Sequence, residues 1–451
     1  MQRYQNSFGK ENVAPDAEDM KLDSLMWIAS CTKPLTAISV LQLVERGRVA
    51  LDEPLDKILP EFAPPVPVVT VSESGELVTT STDKPLTLRI LLTHTSGLAY
   101  GHPGTPVDAW RKSLPESSDF HPSKIGKREI GVDYRQPLIF LPGEPGQWKY
   151  GPSIDWVGKV VERVNGEGLS LGGYMAKYIF EPLEMTSTTF RPVQDPRYKD
   201  RLFARSKRLA DGSLVVDPME QHAHLEPVDE MGGGGLYSTV RDYIKVLESL
   251  LLDDGKLLPS HRVEELFTAQ LPESPELQKR LAANDDAIAL TFDTEVEGTD
   301  HVRWSWSLCG LSVLNDVPEK CTAGTGLWSG LANLYWVRDV TLHAHDNPMS
   351  LENSQSANSS YKSGWTGNGA RLASGAARSF PTAMFVPGVS TRSFRKQSSS
   401  RHPPRHSAKR PMRRLGGFVF LLGASLDAFL PCPSRSRDVA EPLVWWGGVE
   451  C

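Results

Sequence analysis

Ser30-Cys31-Thr32-Lys33-Pro34-Leu35 is the stretch whose reading decides this chain. Leu35, Ile38, Leu41 and Val44 follow at helical spacing and Gly47 closes the run, which predicts a helix beginning beside Ser30. One helical turn brings positions three apart to the same face, so the Lys33 amine can reach the Ser30 hydroxyl. A serine hydroxyl is a good nucleophile only when a neighbour takes its proton. A lysine can do so when its surroundings keep it neutral. Met26-Trp27-Ile28-Ala29 on one side and the apolar helix on the other predict a buried pair. Pro34 suits the first turn, where its missing N–H costs no hydrogen bond. Free N–H groups at that end favour negative charge near Ser30. Alone, Ser-x-x-Lys is a weak signal, because most such pairs are solvated surface features.

A hydroxyl–lysine pair needs a third group to shuttle protons. Tyr150 is the candidate, in Trp148-Lys149-Tyr150-Gly151-Pro152-Ser153, after the turn-forming Leu141-Pro142-Gly143-Glu144-Pro145-Gly146. On a stiff Gly-Pro loop at the mouth of a helix, a tyrosine can be held at fixed distance from a nucleophile elsewhere and act as general base. Ser153 reads as the N-cap of that helix, which runs through Ile154, Val157, Val160, Val161 and Val164 to a stop at Asn165-Gly166. Thr239 with Asp242 reads as a capping pair before Tyr243, Val246, Leu247 and Leu250. Leu171, Tyr174, Met175, Tyr178 and Ile179 form another helical face, and Trp304 to Leu314 and Leu331 to Val337 read as strands. Residues 63–87 read as loops with short strands.

A net charge of −6 argues against a nucleic-acid partner. Cys31, Cys309, Cys321, Cys432 and Cys451 form no CxxC pair or metal-ligand spacing, so free thiols in a reducing, cytoplasmic setting are expected. Cys31 reads as a small buried filler. Met1-Gln2-Arg3-Tyr4-Gln5 has no apolar signal core. The longest apolar run, Leu415 to Leu430, is shorter than the roughly 20 residues of a spanning helix and is interrupted by Asp427, so no membrane partner is expected. No cofactor is expected either: Gly232-Gly233-Gly234-Gly235 is not followed by the Lys-Ser/Thr of a phosphate-binding loop, and reads as a tight connection.

Near Val340 the chain changes character. Asn353-Ser354-Gln355-Ser356-Ala357-Asn358-Ser359-Ser360 is low in complexity, and Arg401-His402-Pro403-Pro404-Arg405 and Lys409-Arg410-Pro411-Met412-Arg413-Arg414 are basic. Such composition buries too little apolar surface to offset the entropy of ordering. Residues 7–339 are therefore expected to form one folded body, and 340–451 a mostly disordered tail.

Four motifs in order carry a resemblance: Trp27-Ile28-Ala29-Ser30 to Lys33; Leu91-Leu92-Thr93-His94-Thr95-Ser96-Gly97-Leu98; Pro142-Gly143 to Tyr150-Gly151-Pro152-Ser153-Ile154-Asp155-Trp156; and Gly232 to Thr239. The chain resembles the serine β-lactamase-related family of class C type, in particular its filamentous-fungal transesterases of the lovastatin side-chain acyltransferase kind. The resemblance implies an α+β fold of β-lactamase/transpeptidase type: an antiparallel sheet flanked by helices, plus a helical subdomain. It implies a serine esterase or transesterase of secondary metabolism, working on a small ester or thioester acyl donor, free or carrier-protein-bound, with water or an alcohol as acceptor. Ser30 would be the nucleophile, Lys33 its activating amine and Tyr150 the general acid/base. Trp328-Ser329-Gly330, running on through Leu331 to Trp336, looks like the family's strand that lines the site and helps hold the oxyanion. His94 looks structural. Arg135 is the arginine to choose for gripping a substrate carboxylate, with a plain surface position as the alternative. Lys362-Ser363-Gly364 matches the family's Lys-Thr-Gly pattern literally but lies in the tail.

The sequence also departs from the family. About thirty residues precede Ser30, too few for the usual N-terminal hairpin, so at least one strand is expected to be missing. After Val340 the closing strands and helix are not recognisable, as if an intron or a shifted reading frame had been read through. Pro152 stands where class C lactamases carry Asn, which argues against β-lactam hydrolysis. The alternative function is a catalytically inactive, truncated member of the same family.

Overall fold

The protein is described by a computed structural model covering residues 7–209, 211–217, 225–282, 302–317, 321–331, 334–339 and 417–422. A short strand, β1 (Met26–Trp27), leads into a single 3-10 turn, Ala29–Thr32, which carries Ser30 directly into α1 (Lys33–Glu45). Pro34 sits in the first turn, and Gly47, at φ +66°, follows the helix end. Leu35, Ile38 and Leu41 are buried, but so are Thr36, Ser39 and Gln42 on the other faces. A helix buried all round is a central one. Its polar side chains are accordingly bonded: Ser39 Oγ donates to Leu35 O at 2.8 Å and Gln42 Nε2 to Leu257 O at 2.9 Å.

The helical part follows. The hairpin of β2 (Val66–Val71) and β3 (Leu77–Thr82) precedes α2 (Leu88–Leu92), α3 (Pro106–Ser113), α4 (Ile130–Asp133), α5 (Ser153–Val164) and α6 (Leu171–Met175). α5 packs across α1, α2 and α6 with Ile154, Val157, Val160 and Val161 inward. A second hairpin, β4 (Ser206–Arg208) with β5 (Leu214–Val216), precedes β6 (Tyr237–Ser238), which pairs with β1. Then come α7 (Val240–Leu252), α8 (Ser260–Phe267) and α9 (Pro275–Ala282). Thr239 caps α7 as expected, its hydroxyl accepting the Asp242 N–H at 3.2 Å. The main sheet is antiparallel: β7 (Trp304–Trp306), β8 (Leu311–Val313), β9 (Gly326–Gly330), β10 (Leu334–Asp339) and β11 (Gly417–Leu422), in the order β11-β10-β9-β8-β7. This is the expected antiparallel sheet with helices and a helical part beside it.

Three expectations are corrected, and one strand is added. Trp304 to Leu314 is two strands, because Ser307 and Gly310 close a turn between them through a 2.8 Å backbone bond. The stretch from Trp328 to Trp336 is likewise two, β9 and β10, which place Trp328 opposite Trp336. Ser153 is the first helical residue and not the cap: Pro152 holds the cap position, and the Ser153 hydroxyl bonds Ser96 Oγ at 2.7 Å. Finally, the tail supplies a strand. Gly417–Leu422 pairs along its whole length with β10, from Leu334↔Leu422 to Asp339↔Gly417. Phe418-Val419-Phe420-Leu421-Leu422 is an aromatic and aliphatic run that suits a sheet, and it lies within the Leu415 to Leu430 apolar run. Lys362-Ser363-Gly364 lies outside the described residues.

Candidate active site

Ala29 has φ +43°, a left-handed conformation uncommon for a residue with a Cβ and frequent where a fold stores strain at a site. The turn it shapes presents Ser30. Ser30 Oγ accepts hydrogen bonds from Lys33 Nζ at 3.0 Å and Tyr150 Oη at 2.7 Å. Lys33 is 1 % exposed. Its Nζ also donates to Gly233 O at 2.6 Å and lies 4.6 Å from the centre of the Tyr150 ring. Trp328, on β9, donates its indole N–H to Tyr150 Oη at 3.1 Å. Ser30, Lys33, Tyr150 and Trp328 thus form one connected cluster.

Tyr150 is held by the Thr93-to-Gly97 segment. The Lys149 N–H donates to His94 O at 3.1 Å, and Ser96 ties down the start of α5 through Ser153. The His94 ring packs 4.6 Å from Tyr150, 5.1 Å from Trp306 and 6.0 Å from Trp148, centre to centre. Neither His94 nitrogen has a hydrogen-bond partner, and burial, reinforced by the Lys33 charge, pushes its pKa well below the ordinary value. A neutral ring without polar contacts is a wall for Tyr150, which supports the structural reading of His94.

β9 lies against the Ser30 turn at Gly330. A Cβ there would come 2.5 Å from Ile28 O and 3.3 Å from Cys31 Sγ, so only glycine lets the strand approach this closely. The approach sets the strand end beside the backbone of the turn, the place for an oxyanion hole. Ser329 is half-buried on the same strand. Cys31 is fully buried, and burial drives its thiol pKa far up. That is the chemistry of a filler and not of a reactive thiol.

Gly232 to Gly235 wraps around the start of α1. The Gly233 N–H donates to Asp155 Oδ1 at 2.8 Å, Thr36 Oγ1 donates to Gly232 O at 2.7 Å, and Trp27 Nε1 donates to Gly234 O at 2.6 Å. A Cβ on Gly233 would fall 2.6 Å from Asp155 Oδ2. The glycines serve close packing, as the tight-connection reading expects. Arg135 stands outside the cluster: it is exposed, with its guanidinium 5.8 Å from the centre of the Phe120 ring, and makes none of the contacts described for Ser30, Lys33, Tyr150 or Trp328.

The beta-lactamase family profile matches residues 2–284, more than half of the chain. The chain belongs to the beta-lactamase family. Within the beta-lactamase family it is 34% identical over 339 residues to the acyltransferase calJ of Penicillium decumbens, covering 74% of this chain and 77% of that one. It is 32% identical over 340 residues to a lovastatin esterase of Penicillium rubens, covering 74% and 82%. Among solved structures, simvastatin synthase (LovD) of Aspergillus terreus matches with a TM-score of 0.63 at 31% identity, over 74% of this chain and 81% of that one. Among the described residues, no helix is long and apolar enough to cross a membrane.

Two contributors escaped the sequence reading. Trp328 is expected at the site, and what the structure adds is its indole bond to Tyr150, which depends on the facing of β9. Asp155 belongs to the Tyr150 to Trp156 motif, but an acid in the first turn of a helix is ordinarily a partner of the helix dipole. The aromatic wall of Trp148 and Trp306 brings together residues far apart in sequence. The signal that could have flagged Asp155 is its place between two apolar residues, Ile154 and Trp156.

Proposed function

We propose that this chain is a serine acyl-transfer enzyme that carries the acyl group on Ser30. It takes that group from a small ester or thioester donor, free or tethered to a carrier protein, and passes it to an alcohol or to water. The observation that carries this reading is the convergence of Lys33 Nζ and Tyr150 Oη on Ser30 Oγ, at 3.0 and 2.7 Å, from two separate elements. In acylation, the Ser30 oxygen bonds the donor carbonyl carbon while its proton passes to the Lys33–Tyr150 pair. The donor C–O or C–S bond breaks and the proton leaves with the alcohol or thiol. The second half mirrors the first, with the acceptor O–H in place of Ser30. The carbonyl oxygen gathers negative charge in both halves, and we assign its stabilisation to backbone N–H groups where the end of β9 approaches the Ser30 turn at Gly330. Such donors are worth about 3–4 kcal/mol of barrier each in other enzymes.

Relatives named as an acyltransferase and an esterase support both acceptors. We assign the chemistry to residues 7–339, with β11 as an added edge strand. The competing reading is a catalytically inactive, truncated member of the same family. Intact-mass analysis after exposure to a fluorophosphonate decides between them. One adduct per chain on Ser30, lost in Ser30→Ala, is expected. No adduct on the parent protein would establish the inactive reading, and an adduct on Cys31 would move the nucleophile.

A further inference from the structure

Asp155 is 2 % exposed and lies on α5, the helix that Tyr150 precedes. Its Oδ1 accepts the Gly233 N–H at 2.8 Å, while Gly233 O accepts from Lys33 Nζ at 2.6 Å. Gly233 is pressed so closely onto the carboxylate that no side chain fits there. The carbonyl that aims Lys33 is therefore fixed by the residue that Asp155 grips. We propose that Asp155 is a positioning residue for Lys33, acting through Gly233 and through the field of its own buried charge. The proposal rests on the acyl-transfer reading above.

Several observations bear on it. Burial pushes the Asp155 carboxyl up to about 6, and the Lys33 cation leads the effects that pull it back, followed by the Gly233 N–H and Arg128. Tyr100 and Tyr134 also feel the Asp155 charge, and His94 and Tyr150 face Lys33. Removal of the negative charge therefore takes away the buried anion that attracts the Lys33 cation. Removal of the acceptor oxygen releases Gly233 and, with it, the direction of the Lys33 Nζ. Because α5 starts just after Tyr150, one rigid element sets both the phenol and the anchor of the amine.

The test measures kcat, KM and their pH dependence with p-nitrophenyl butyrate for Asp155→Ala and Asp155→Asn. Loss of one buried, charge-assisted bond predicts that Asp155→Ala lowers kcat about tenfold or more with little change in KM. Asp155→Asn keeps an acceptor oxygen for Gly233 and is expected to recover most of kcat, with its pH–kcat profile displaced to lower pH. An Asp155→Ala enzyme with parental kcat overturns the positioning role. An Asp155→Asn profile that overlays the parent overturns the role of the charge. Should Asp155→Ala fail to fold by circular dichroism, Asp155→Asn decides alone, since a purely structural role would lower its melting temperature and leave its pH profile in place. The parent protein is the control. If it neither labels nor turns over ester, the acyl-transfer reading falls. If it does both and the variants do not respond, only the present inference falls.

Discussion

The Trp328 indole, carried on β9 of the sheet, donates its N–H to Tyr150 Oη at 3.1 Å. The same oxygen reaches Ser30 Oγ, so the bond steadies the atom that the proposed acyl transfer uses as its proton carrier. Trp328→Phe keeps an aromatic ring against Trp306 and deletes this donor. A neutral hydrogen bond of about 0.5–1.5 kcal/mol predicts a fall in kcat of about three- to tenfold. Steady-state kinetics check it, and an unchanged kcat would make Trp328 a packing residue only.

Lys33→Ala and Tyr150→Phe remove the two groups that meet Ser30 Oγ. Each is expected to lower kcat by about 10²–10⁴, the range for a positioned acid or base. Tyr150→Phe retains the ring contacts with His94 and Trp328, so its melting temperature should stay near the parent's. The rate of fluorophosphonate labelling should fall in parallel with kcat, and a Tyr150→Phe enzyme of near-normal rate would make the phenol structural.

Gly330→Ala places a methyl group against Ile28 O, a backbone atom that cannot swing away. β9 must then retreat from the Ser30 turn. Overpacking of this kind costs about 1–3 kcal/mol. Thermal unfolding should show the loss, and labelling of Ser30 should slow because the oxyanion donors move apart.

Asp155 makes a signed prediction for stability against pH. Its carboxyl is raised from 3.8 to about 6 in the folded protein, so between those values the folded state holds more protons than the unfolded one. Stability therefore falls as pH rises through this window, and the full cost, on the order of 3 kcal/mol, is present above it. Asp155→Asn lacks this titration. Denaturant melts from pH 4 to 7 should show the parent losing stability relative to Asp155→Asn as pH rises, and parallel curves would refute the shift.

Truncation after Asp339 removes β11 and leaves one side of β10 without its six-residue partner. Exposed strand edges lower stability and invite association. The truncated chain is expected to melt lower and to aggregate more readily by light scattering, yet still to label at Ser30, because Ser30, Lys33, Tyr150 and Trp328 all precede the cut. Loss of labelling in soluble, folded truncated protein would bring the tail into the site.

What the sequence determined by itself is what local geometry can carry. Ser30 and Lys33 lie one turn apart, so their contact follows from the helix that Leu35, Ile38 and Leu41 predict. The Thr239–Asp242 cap is local in the same way, and the ordered motifs pointed to Tyr150 and to the family. Tertiary structure alone decided the rest, because it depends on long-range packing. Tyr150 meets Ser30 across 120 residues, held there by the His94 carbonyl and the Ser96–Ser153 bond. Asp155 is an ordinary first-turn acid until burial 78 residues from Gly233 makes it an anchor. The hairpin register that sets Trp328 opposite Trp336, and the packing of β9 against the Ser30 turn, decide that the indole reaches Tyr150. Which way the Arg135 side chain faces depends on what packs around its loop, and the structure places its guanidinium beside the Phe120 ring. The β11 strand was hidden because an apolar run does not name its partner, and β10 lies some eighty residues away in sequence.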